Sequence, residues 1–124
     1  MLGKEHMIFH ITTRKAWDVA QAQGKYSAPS LATEGFIHCS ILSQVLPVAD
    51  AFYSGQSDLC LLVIDPSLLA STLKWEPPSG GTPPPGVAAG EMFPHIYGPI
   101  NLAAVVKVVD LGSNPDGTFN LPVL

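Results

Sequence analysis

"LCLLVID", residues 59–65, runs through six apolar residues before its first charge. A strand with one wet face alternates polar and apolar residues, and this one does not. It therefore predicts a central strand covered on both faces. Cys60 sits inside it, where a small apolar side chain is all the strand needs. The rest of the chain has to supply the partners and the layers that cover it.

Upstream, "HMIFHIT" (6–12) reads as a strand from its β-branched and aromatic content. "TTRKAWDVAQAQG" predicts a helix with Thr12 or Thr13 as N-cap and Gly24 just past its end. "YSAPSLATE" (26–34) is a polar, Pro-broken connection, followed by a strand around His38 in "GFIHCS" (35–40). A second helix is expected with Ser43 as N-cap and Val45, Val48, Ala49 and Phe52 at helical spacing. Pro47 falls near its start, where a missing N–H costs little, and Gly55 ends it.

Downstream, "DPSLLAS" opens with Asp and Pro, a capped helical turn, and "LKWE" (73–76) is a short strand. Residues 77–90, "PPSGGTPPPGVAAG", then hold nine Pro or Gly among fourteen, which excludes a helix or an interior strand. Such loops in compact domains often cover binding sites, and this one is expected to be a mobile lid. "AAVVKVVDL" (103–111) returns to a strand, "NPDG" (114–117) is a turn, and "TFNLP" is a last edge segment. No repeat or internal boundary appears, so residues 1–124 read as one domain.

Composition narrows the function classes. Hydrophobic residues make up 47% and charged residues 13%, about half the usual charged share. The longest apolar runs are far too short to cross a bilayer, and no signal-peptide pattern is seen, which predicts a soluble, cytoplasmic protein. The net charge is −4, and the six Lys and Arg are scattered, so no nucleic-acid groove is expected. Cys39 and Cys60 are expected to be reduced, buried thiols. The histidines lack metal-ligand spacing, so no metal is assigned.

Candidate chemistry lies in the histidines. In an extended "MIFHIT", His10 shares a face with Thr12; in "GFIHCS", His38 shares one with Ser40. This repeated H-x-[T/S] device predicts two imidazoles and two hydroxyls presented into one cleft. The alternative for each is a core histidine donating to a carbonyl, the commoner fate of a strand histidine. "KWEPP" and "FPHIYGP" flank the Pro/Gly loop, which could bring Glu76, His95 and Tyr97 to the same place.

Taken together, "IFHIT", Trp17, "YSAPSL", "EGFIHCS", "LLVID", "KWE" and "FPHIYGPI" resemble the small bacterial family called domain of unknown function 952. The resemblance implies an α+β fold like that of the ADP-ribosyltransferases, a split barrel of two small antiparallel or mixed sheets with two main helices. It places a nicotinamide dinucleotide cleft between the sheets. His10 would then hold ribose, His38 and Ser40 would line the second cleft strand, and Glu76 would be the acid that orients the attacking group.

The leading expectation is an enzyme that processes a nucleotide, with NAD as a possible substrate. His10, His38 and Glu76 would be catalytic, and Thr12, Ser40, His95 and Tyr97 would bind the small nucleotide-like ligand. The alternatives are a non-catalytic nucleotide-binding module and an interaction protein that dimerises through an apolar patch.

Overall fold

A computed structural model describes residues 6–124 of the chain. Its centre is β4 (Leu59–Ile64), whose six residues are all buried, as the unbroken apolar run requires. β4 is flanked by β1 (Ile8–Thr13) and by β8 (Val105–Asp110), both antiparallel to it. A second three-stranded antiparallel sheet has β6 (Phe93–Tyr97) in the middle, between β3 (Ile37–His38) and β5 (Thr72–Glu76). Two short ribbons complete the strands: β2 (Lys25–Tyr26) with β7 (Ile100–Asn101), and β9 (Gly112–Ser113) with β10 (Phe119–Asn120). The architecture is α+β with small antiparallel sheets, and no closed barrel forms among the described residues.

The two main sheets meet at one point. Phe9 and Ser40 exchange both backbone hydrogen bonds, each 2.8 Å long, and so join β1 to the end of β3. Because Phe9 stands opposite Ser40, the side chains of Phe9, Ser40 and His38 fall on one face. His10 falls on the other.

Helix α1 (Arg14–Gln23) starts where the Thr13 hydroxyl accepts from the Ala16 N–H at 3.0 Å. It stops at Gly24, whose φ of 83° suits glycine. Trp17 and Ala20, one turn apart, are its buried residues. They join a core with Ile8, Leu62 and Ile64 of the first sheet and Ile37 and Ile96 of the second. The opposite face of β1 and β4, with Phe9, Ile11 and Leu61, packs on Val45 and Ala49 of α3 (Val45–Phe52).

Two local expectations change. The Pro-broken connection contains a short helix, α2 (Pro29–Thr33), with Pro29 at its first turn, where the fixed φ starts a helix rather than breaking one. Ser43 does not cap α3, because an extra tight turn, Leu42–Gln44, leads into it and puts Gln44 at the cap position. Gln44 instead uses its side chain: Oε1 accepts from the Ile41 N–H, and Nε2 donates to the Met92 carbonyl and to Glu91. Among the described residues no helix is long and apolar enough to cross a membrane. Cys39 and Cys60 are free and buried.

Candidate functional site

The β3–β6 register puts His38 directly opposite His95, so the two rings leave the sheet on the same face. Their centroids are 5.5 Å apart in an edge-to-face arrangement. Phe36, two residues before His38, shares that face and stacks on His95 at 4.1 Å. Tyr97 and Glu76 complete the row from β6 and β5.

Each histidine is held by a different carboxylate. His38 Nε2 lies 2.8 Å from Glu34 Oε2, and His95 Nδ1 lies 2.9 Å from Glu76 Oε1. A carboxylate accepts, so each of these ring nitrogens carries the proton it donates. The other ring nitrogens, Nδ1 of His38 and Nε2 of His95, make no bond to a carboxylate. The Glu34 Oε1 also accepts from the Ser79 hydroxyl at 3.0 Å. The Tyr97 hydroxyl donates to Glu76 beside His95. Hydrogen bonds from His38 and then Ser79 hold the Glu34 carboxyl below the usual carboxylate range. Those from Tyr97 and then His95 do the same for Glu76, and the Tyr97 hydroxyl is pushed up in return.

His38 and His95 face a cleft of about 370 Å³, bordered also by Glu34, Ser40 and the aromatic rings of Phe52 and Phe93. The His38 side chain is 42% exposed, whereas that of His95 is 3% exposed and forms part of the floor. The Pro/Gly loop covers one side through Pro78, Ser79, Thr82 and Pro84. Its placement over the cleft agrees with expectation. It is also anchored: Pro84 and Val87 are buried, and the Ala88 N–H donates to Glu91, itself held by Gln44.

His10 and Thr12 take another place. The one-residue offset between β1 and β3 sends them to the face opposite His38, so the H-x-[T/S] device does not converge on one cleft. His10 Nδ1 is 2.6 Å from the His38 carbonyl oxygen, to which it donates. Its Nε2 is 2.8 Å from the Tyr26 hydroxyl, which lies 2.9 Å from the Thr12 hydroxyl. Burial pushes the His10 ring down to about 4 and the Tyr26 hydroxyl up to about 12. The group is a neutral internal network behind the cleft, bordering a second hollow that His38 shares. For His10 the core alternative, a ring donating to a carbonyl, is what the structure contains.

Glu76 and Tyr97 do not border the cleft and act on it through His95. The carboxylate that does border it is Glu34, which the sequence reading passed over as the end of a polar connection. The available signal was its place four residues before His38 with Gly35 between them. Gly35 has a φ of 89°, a turn that lets Glu34 fold back onto the ring. Among the described residues, no three potential metal ligands converge.

The fold and site thus define a small α+β protein with a cleft bearing two carboxylate-oriented histidines. The chain belongs to the family described as protein of unknown function (DUF952), which matches residues 11–108. It is similar to protein CC0527 from Caulobacter crescentus, whose X-ray structure is 33% identical with a TM-score of 0.78, covering 92% of this chain and 93% of that one. The solution NMR structure of CC0527 is 33% identical with a TM-score of 0.71, covering 91% and 90%. No curated protein matches the chain significantly.

Proposed function

We propose that the protein is an enzyme of the ADP-ribosyltransferase-like class that cleaves the N-glycosidic bond of a nucleotide such as NAD in the histidine-lined cleft. The observation that carries the reading is the open His38 ring, with Nε2 fixed on Glu34 and Nδ1 left as a base beside an apolar, aromatic-bordered cleft. Two sheets that part after a single bridge, with a cleft beside the junction, also suit a split-barrel relative of those enzymes. The cleft lies at the small end of the roughly 300–1,000 Å³ usual for small-molecule sites, enough for a nucleoside portion.

The roles differ from those expected. Glu34, not Glu76, is placed to stabilise an oxocarbenium centre as the C1′–N bond breaks and its electron pair leaves with the base. Water adds to C1′, and its proton passes to His38 Nδ1. His95, positioned by Glu76 and Tyr97, hydrogen-bonds the sugar from the floor with Ser40. His10 and Thr12 hold the β1–β3 junction that presents His38.

Incubation with NAD, followed by mass spectrometry of the products, tests the reading. Free nicotinamide and ADP-ribose are expected, with His38→Ala slowing their release by about 10²–10⁴-fold, the usual worth of a general base. Calorimetric binding of NAD or ADP-ribose without product would leave a binding module. One feature favours that second reading: the Tyr97 hydroxyl and His95 Nδ1 both donate to Glu76 Oε1, and Glu76 does not border the cleft, so the group adds no second carboxylate there.

A further inference from the structure

Five Lys and Arg residues lie among the described part of the chain, and none borders the cleft. Arg14 is paired with Asp110, and Lys74, the cross-strand neighbour of His95, does not border the cleft and has its ammonium 4.7 Å above the Tyr97 ring. The charged side chain that does border the cleft is Glu34, kept ionised by His38 and Ser79. A phosphate group entering there would meet a carboxylate and no guanidinium or ammonium to pair with it.

The aromatic border adds a second, independent constraint. Phe52, the last residue of α3, is 65% exposed, although it borders the cleft. At the mouth of a cavity, such a ring offers a stacking surface to a flat ligand. The face of such a ring also attracts a cation. Carboxylate and aromatic ring together favour a planar, positively charged or neutral heterocycle.

We infer that the cleft selects the phosphate-free end of its substrate, a cationic or neutral nucleoside, with any phosphates left outside. This rests on the nucleotide-processing reading and narrows its substrate class. For a dinucleotide, the pyridinium riboside would enter between Phe52 and Glu34, and the pyrophosphate would add little to binding.

Calorimetric titration with nicotinamide riboside, its 5′-monophosphate and NAD provides the test, with inosine as a neutral nucleoside. The riboside should bind about tenfold more tightly than its monophosphate, with the gap narrowing at high salt. Phe52→Ala, a change at an exposed position that leaves melting unaltered, should weaken the riboside about tenfold through lost stacking. Glu34→Gln should weaken the cationic riboside by a similar factor and leave inosine within about twofold. A monophosphate or dinucleotide that binds as tightly as the riboside, or more so, overturns the inference and leaves the nucleotide-processing reading standing. Failure of all four compounds to bind overturns both.

Discussion

Both nitrogens of the His10 ring are engaged inside the protein, and the ring is buried, so a proton can be added only at a cost. Its folded value of about 4 lies below the ordinary 6.5, so between those two pH values the unfolded chain takes up a proton that the folded chain refuses. Stability is therefore complete above pH 6.5, falls as the pH drops towards 4, and levels off below. The whole effect is worth ~3 kcal/mol. Urea unfolding at pH 7.5 and 4.5 should show wild type losing most of that amount beyond what His10→Gln loses, and equal losses would assign the sensitivity elsewhere. On the cleft side, Tyr97→Phe removes the strongest donor to Glu76. The Glu76 carboxyl should then titrate closer to its ordinary value, seen by side-chain carbon NMR, without unfolding of the sheet. Direct neighbours such as Thr13 and Ala16 were legible from sequence, because a cap needs only residues three apart. The His38–His95 pair was not, since a cross-strand register brings together residues 57 positions apart.

At the scale of elements, Gln44 is the latch of the Pro/Gly loop. It is buried in the turn before α3, and its amide nitrogen reaches Glu91 and the Met92 carbonyl at 3.1 and 3.0 Å. Gln44→Ala leaves that carbonyl without its amide donor and should cost ~1–3 kcal/mol. Amide exchange should quicken over 88–93 and stay unchanged in α1; uniform quickening would mean general destabilisation instead. The loop's far end is lighter, tied by Ser79 to Glu34. The strands β1, β4, β5 and β8, and both ends of α1, were legible because each carries its own pattern or cap. Helix α2 was hidden by Pro29, a residue that reads as a breaker and here occupies the first turn. β3 was readable as extended, but the face of His38 depends on where Ser40 meets Phe9, which no local pattern specifies.

For the whole molecule, two layers of packing share β4, and its centre should be the least forgiving place in the chain. Leu61→Ala should cost ~2–5 kcal/mol in urea unfolding, because the fully buried site cannot collapse around the loss. The thiols report the same enclosure. Burial pushes Cys39 up and Cys60 to about 11, so a thiol reagent at neutral pH should count none in the native protein and two after guanidinium. The strand order β1–β4–β8 also bears on how the protein is made. Forty-five residues separate β1 from β4, and forty separate β4 from β8. On the ribosome, "LCLLVI" therefore emerges with one partner already available and the other not yet synthesised. At about 5–20 residues per second, its open edge waits for seconds, longer than an antiparallel pair needs to form. The nascent chain thus carries an apolar strand edge for that interval, which is the kind of segment that chaperones hold and that other chains capture when crowded.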